Sequence, residues 1–180
     1  MPAILRSIQR LLEILGEHKV EYMIIGGYAL PFYGRIRTTV DLGLAVAVRT
    51  EKELKELCGW LEQNDFEATI SSFQNPLIVI LDRKEMVETE LWLRPDGIVL
   101  DAEVLRRRRK AKMGEGVEAW VVGPEDFIVN KLARPDRGTI DEQDVKSVLI
   151  RQKGKLEEKY LHRKAREAGV LTILQIIQVQ

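Results

Sequence analysis

The sequence predicts an α+β fold: a small mixed β-sheet of four to six strands, flanked by helices and followed by a helical C-terminal region. Three observations carry this. Residues 3–18 and 51–63 place their apolar side chains at helical spacing. Several short runs alternate in polarity or are rich in β-branched residues, as strands are. From Gly123 onward the pattern is helical throughout. The chain is expected to divide into an α+β core over residues 1–122 and a helical region over 123–180 packed on that core.

In order along the chain, Ile4, Ile8, Leu11, Leu12 and Leu15 form one stripe, with Arg6, Arg10 and Glu13 largely outside it. Val20–Ile25 is a short apolar run that reads as a buried strand. Gly26 and Gly27 end it, and a short helix is expected around Tyr28–Tyr33. Thr38–Val48 reads as a second strand. Over 51–63, Leu54, Leu57 and Leu61 oppose Lys52, Glu53, Lys55 and Glu56. Strands are then expected at Glu67–Phe73, Leu77–Leu81 and Met86–Leu93. In the last of these, Val87, Thr89, Leu91 and Leu93 face one way and Glu88, Glu90 and Trp92 the other. Asp82–Glu85 and the Pro–Asp–Gly signal of Arg94–Gly97 read as turns. Ile98–Leu100 suggests a return strand, and Val117–Val122 the last one. Gly123–Pro124–Glu125–Asp126 has the chemistry of a helix start. Helices are predicted at 124–133, 140–152, 155–168 and 170–178.

Composition excludes several classes. At 180 residues with 45% hydrophobic and 31% charged side chains, the chain is a globular one and not a disordered one. Lys+Arg and Asp+Glu both total 28, so no overall basicity drives nucleic-acid binding. A single cysteine, Cys58, rules out an intrachain disulfide. No apolar run approaches the roughly 20 residues of a membrane span, and the N-terminus lacks a secretory pattern. A cytoplasmic location and no membrane partner are expected.

The informative segment is Ile24–Val46. A strand ends in Gly–Gly, a short helix follows, and a second strand carries Asp41. Glycines there allow close backbone approach at a helix start, which suits a phosphate group. An acid on the adjacent strand can hold a divalent cation against those phosphates.

Ile25–Gly26–Gly27, then 13 residues, then Asp41–Leu42–Gly43–Leu44 resembles the first motif of the minimal nucleotidyltransferases of the DNA polymerase beta-like superfamily. The run GRIRTTVDL is similar to the abortive-infection (AbiEii-like) toxin branch. So is Gly123–Val145, which looks like that branch's later motif of Glu-Asp, Lys and paired Asp residues. The resemblance covers most of residues 20–150. It implies a nucleotidyltransferase-like fold and Mg²⁺-dependent transfer of NMP from an NTP to a hydroxyl on a protein or RNA acceptor, with Mn²⁺ as a substitute ion. Gly26 and Gly27 would cradle phosphates, with Arg37 as a further nucleotide contact. Asp41 would ligate metal and Glu90 would be the third carboxylate. Lys131 would steady the triphosphate, and Asp141 would support that end of the site.

One departure stands out. The resembling family has a second acid two residues after the first, and position 43 is glycine. That favours an alternative: a catalytically impaired member serving as a binding or regulatory partner in a toxin–antitoxin-like pair, through a protein partner or as a homo-oligomer. Further residues have two readings each. Glu88 reads as a solvated strand face or a spare acid. Arg35 and Arg37 flank a loop or touch the triphosphate, and Asp141 caps its helix or serves the site. The run Arg106–Lys110 is an RNA groove or a solvated face beside Asp101 and Glu103.

Overall fold

The computed structural model describes residues 1–69 and 72–179. Helix α1 (Ala3–Glu17) leads to strand β1 (Tyr22–Ile25), two 3₁₀ turns (Gly26–Tyr28 and Leu30–Phe32), β2 (Leu42–Val46) and α2 (Glu51–Gln63). Strands β3 (Phe66–Thr69), β4 (Leu77–Asp82) and β5 (Val87–Trp92) follow, then α3 (Ala102–Arg107), β6 (Arg109–Gly114) and β7 (Val117–Val121). Four helices end the chain: α4 (Pro124–Ala133), α5 (Thr139–Arg151), α6 (Glu158–Glu167) and α7 (Leu171–Val179).

All seven strands form one mixed sheet in the order β3-β4-β5-β2-β1-β7-β6. The pairs β1–β2, β3–β4, β4–β5 and β6–β7 are antiparallel, and β2–β5 and β1–β7 are parallel. Register places Ile25 opposite Gly43, and Gly43 opposite Glu90. These residues therefore stand in a row across β1, β2 and β5. The apolar runs of β1 and β2 are explained by their central place, since every residue of β2 is buried.

The stripe of α1 buries Ile8, Leu11, Ile14 and Leu15, and the helix packs on β5, β7 and α2. Helix α2 starts at Thr50, whose hydroxyl accepts the Glu53 N–H at 3.1 Å, a side-chain cap that satisfies one orphan donor. Its Leu54, Leu57 and Leu61 are buried. Helix α4 starts at Pro124 as expected, and Pro124 through Leu132 are all buried. This central helix packs against α5 and α6. Among the described residues no helix is long and apolar enough to cross a membrane.

The structure corrects several sequence expectations. Among the described residues the sheet has seven strands, not four to six. Residues 98–100 form no strand; Ile98 N–H donates to Pro95 O and Asp101 N–H to Val99 O in successive turns. The seventh strand is instead β6, within and beyond the basic run. It is an edge strand, and its exposed Arg109, Lys110 and Lys112 have the charges that protect an open sheet edge. The strand expected over 38–48 is confined to Leu42–Val46. The expected strand at 67–73 is observed as Phe66–Thr69, with residues 70 and 71 outside the described residues. The short helix near Tyr28 is a pair of 3₁₀ turns, and α6 begins at Glu158, not at 155.

Candidate active site

The segment between β1 and β2 is shaped by two glycines with different duties. Gly26 has φ +69°, the left-handed region that side chains disfavour. Gly27 is a close-approach position: a Cβ there would lie 2.4 Å from Thr39 Oγ1 and 2.7 Å from Thr39 Cβ. The chain then runs along α5. Gly34 presses on Ser147 and Val148, Arg35 N–H donates to Ser147 Oγ at 3.0 Å, and Gln152 Nε2 donates to Tyr33 O at 3.1 Å. Arg151 also donates to Gly34 O. This anchoring sets where Arg37–Asp41 can lie.

A cleft of about 350 Å³ opens where β1, β2 and β5 meet α4. Ile25, Gly26, Gly27, Arg37, Asp41, Gly43, Glu90 and Lys131 line it, together with Thr39, Trp92, Asp96, Asn130 and Arg134. Every residue expected to belong to the site thus lines one cleft, except Asp141, which stands behind Lys131. The strand geometry explains why Asp41 and Glu90 line the same cleft. Asp41 precedes β2 and lies two residues before Gly43, and Gly43 pairs directly with Glu90 on the parallel neighbour β5. The carboxylate of Asp41 accepts no hydrogen bond among the described residues. Glu90 accepts one, from Trp92 Nε1 at 3.0 Å. Glu88 is exposed and is not among the lining residues.

The opposite wall is cationic, and its cations are committed. Lys131 is 2% exposed and donates to Asp141 Oδ1 at 2.8 Å, with Asp144 Oδ2 at 3.3 Å. Asp144 is fully buried and gathers two more cations. Arg35 Nε donates to its Oδ1 at 2.9 Å, and Arg37 Nη2 to its Oδ2 at 3.0 Å. Arg37 therefore reaches the cleft with much of its guanidinium already bound. Asp141 does both things the sequence allowed: it pairs with Lys131, and its Oδ2 accepts the Gly138 N–H at 3.2 Å, capping α5. Burial raises the Asp141 carboxyl, but Lys131, the Gly138 N–H and Arg134 outweigh it and hold the group below the usual carboxylate range. Arg134 is shared between Asp136 at 3.0 Å and Asp141 at 3.7 Å.

Asp96 is a cleft residue that sequence reasoning missed. The turn at Arg94–Gly97 was legible, but not what it leans on. Gly97 has φ +68°, and its missing Cβ leaves room for Ala133 and Val129 of α4. Asn130 Nδ2 donates to Asp96 O at 2.9 Å. The turn is thereby pressed onto α4, with Asp96 at the cleft. Burial pushes the Asp96 carboxyl up, against the pull of Arg134. Tyr28 is raised too, by burial and by the charge of Asp41. The basic run does not form one continuous groove. Arg107 lies 3.7 Å over the Tyr160 ring and pairs with Glu157 at 2.8 Å. Arg108 pairs with Glu21 at 2.7 Å and stacks on Trp120.

A triphosphate entering this cleft would meet Asp41, Glu90 and Asp96 beside cations that already hold carboxylate partners. Such an arrangement needs added positive charge to accept it. The donor set suits one hard divalent ion that completes its shell with phosphate oxygens, because Mg²⁺ is usually held by one or two carboxylates plus substrate phosphates. Among the described residues no group of three His, Cys, Asp or Glu side chains is gathered for a metal.

Residues 4–169 match the family described as Nucleotidyl transferase of unknown function (DUF2204). No curated protein matches the chain. Solved structures with a similar fold include an antigenic nucleotidyltransferase-like protein from Paracoccidioides brasiliensis, at 18% identity and TM-score 0.54, covering 94% of this chain and 91% of that one. The antibiotic-resistance factor ANT(2'')-Ia is similar at 17% identity and TM-score 0.55, covering 95% and 94%. The lincosamide antibiotic adenylyltransferase LnuA, solved with lincomycin bound, is similar at 12% identity and TM-score 0.52, covering 79% and 94%.

Proposed function

The chain belongs to this nucleotidyl transferase family, and from that premise we propose that it transfers a nucleoside monophosphate from an NTP to a hydroxyl on a protein or RNA acceptor, using Mg²⁺. The observation that carries the proposal is the convergence of Gly26–Gly27, Asp41, Glu90 and Lys131 on one cleft. In this reading Gly26 and Gly27, both lining the cleft, present their backbone to the phosphates. Asp41 and Glu90 would hold the cation. When bound, the cation would supply neutralisation of the phosphate charge. The acceptor hydroxyl oxygen would attack the α-phosphorus and release its proton to water, while the bond from the α-phosphorus to the bridging α–β oxygen breaks and pyrophosphate leaves. Lys131, fixed by Asp141 and Asp144, stands beside the departing phosphates, and Arg37 adds its outer edge. A lincosamide antibiotic adenylyltransferase shares the fold, so a small hydroxylated molecule is a further acceptor class for this reading.

Calorimetric titration with a non-hydrolysable NTP tests the reading before any acceptor is known. Binding is expected with Mg²⁺, weak without it, and absent in Asp41→Ala. Cation-independent binding of equal strength in Asp41→Ala would refute it.

Gly43 favours a second reading, since the position two residues after Asp41 offers no carboxylate. The chain would then be a catalytically impaired member that acts as a binding or regulatory partner in a toxin–antitoxin-like pair. Under that reading the wild type transfers nothing and Gly43→Asp gains activity.

A further inference from the structure

Gly43 and Trp92 are one arrangement. The Cβ that Gly43 lacks would lie 3.7 Å from Trp92 Nε1 and 3.4 Å from Ile25 Cγ1. A carboxylate carried there would come up against the indole N–H. That N–H is instead given to Glu90 Oε2 at 3.0 Å. Glu90 and Trp92 are two apart on β5 and share a face, and Glu90 is directly opposite Gly43. Glu90 Oε1 has no hydrogen bond among the described residues. The indole thus fixes one carboxylate oxygen of Glu90 and leaves the other without a hydrogen-bond partner among the described residues, at the cleft that both residues line.

We propose that Trp92 is a positioning residue, which orients Glu90 so that it and Asp41 hold a single divalent cation brought in with the nucleotide. The inference rests on the nucleotidyl-transfer reading. Gly43 has no side chain to offer and the indole N–H beside it is only a donor, so that position contributes no ligand. Of the acids lining the cleft, Asp41 and Glu90 belong to the β2 and β5 side, whereas Asp96 lies on the turn pressed onto α4. Hydrogen bonds that orient a ligating carboxylate are worth about 10–100-fold in metal affinity. Loss of this one should cost about 10-fold, because the phosphates supply the remaining ligands.

The test uses the full chain with Mn²⁺ and an α,β-methylene NTP. The three tryptophans give three indole N–H resonances, and Trp60→Phe and Trp120→Phe identify those outside the cleft. One Mn²⁺ per chain is expected at saturation, read from the loss of the free-ion paramagnetic signal. Mg²⁺ with the nucleotide should move the Trp92 indole resonance and leave the other two in place. Trp92→Phe should bind Mn²⁺ about 10-fold more weakly, and Gly43→Asp should take a second ion. Two ions on the wild type, an unmoved Trp92 resonance, or full Mn²⁺ affinity in Trp92→Phe would each overturn the inference while leaving nucleotide transfer standing. Failure of the wild type to bind nucleotide with either ion would overturn the transfer reading itself, and this inference with it. The stoichiometry and the resonance shift are read on chains that keep Trp92, so a poorly folded Trp92→Phe does not rescue the idea.

Discussion

Replacing Gly27 by alanine should act almost wholly through one neighbour. Its φ lies outside the left-handed region, so alanine costs little in backbone terms. The new Cβ, however, would meet Thr39 Oγ1 at 2.4 Å, where ordinary contact begins near 3.4 Å. Thr39 must retreat by about 1 Å. It sits two residues before Asp41 on a segment pinned to α5, so the movement is transmitted to the cleft. Overpacking of this kind costs about 1–3 kcal/mol, and the displaced Asp41 should weaken Mg²⁺-dependent nucleotide binding about 10-fold or more. Thr39→Ala relieves only part of the clash, because Thr39 Cβ itself lies 2.7 Å from the new atom. Thr39→Gly removes it. A double-mutant cycle by urea unfolding and calorimetry should therefore show a coupling of about 1–3 kcal/mol between Gly27→Ala and Thr39→Gly, and smaller coupling with Thr39→Ala. Wild-type stability and affinity in Gly27→Ala, or additive effects with Thr39→Gly, would refute the close-approach argument.

Asp144→Ala should destabilise the chain by about 3 kcal/mol or more in chemical unfolding, because it strips a buried carboxylate from Arg35, Arg37 and Lys131 together. Nucleotide affinity should fall with it, since the segment leading to Asp41 loses the Arg35 and Arg37 side-chain ties to α5. Asp126 is a pH marker away from the cleft. It is 1% exposed, its Oδ1 accepts the Tyr160 hydroxyl at 2.8 Å, and its Oδ2 has no partner. Burial pushes its pKa up to about 6. The folded state then keeps a proton that the unfolded state has released, so this group's contribution is present below about pH 4 and is lost as pH rises to about 6. The difference amounts to about 3 kcal/mol. Asp126→Asn should match wild type near pH 4 and be more stable by up to that amount at pH 7.5. A stability difference independent of pH would contradict the assignment.

The parts of the site legible in the sequence are those set by neighbours along the chain. Gly–Gly after an apolar strand, an aspartate leading the next strand, and alternation through Glu88, Glu90 and Trp92 all depend on strand period and local turn chemistry. The helix start at Pro124 is local in the same way. What stayed hidden depends on distant partners. Arg35 and Arg37 find Asp144 across more than a hundred residues, which turns a loop read as flanking or nucleotide-binding into one anchored on α5. Asp96 reaches the cleft only because Gly97 fits against Ala133. Strand β6 escaped because an edge strand needs no apolar face, and its charges looked like a patch. Residues 98–100 misled for the converse reason: their polarity alternates, with Ile98 buried and Val99 exposed, but no strand lies beside them to pair with.

The most direct measurement is transfer of label from α-labelled NTPs, with Mg²⁺ or Mn²⁺, into the protein, RNA and small molecules of a cell extract, with wild type and Asp41→Ala side by side. The account predicts cation-dependent labelling of an acceptor by the wild type and none by Asp41→Ala. Equal labelling by both, or no labelling by the wild type with any of the NTPs, would contradict it.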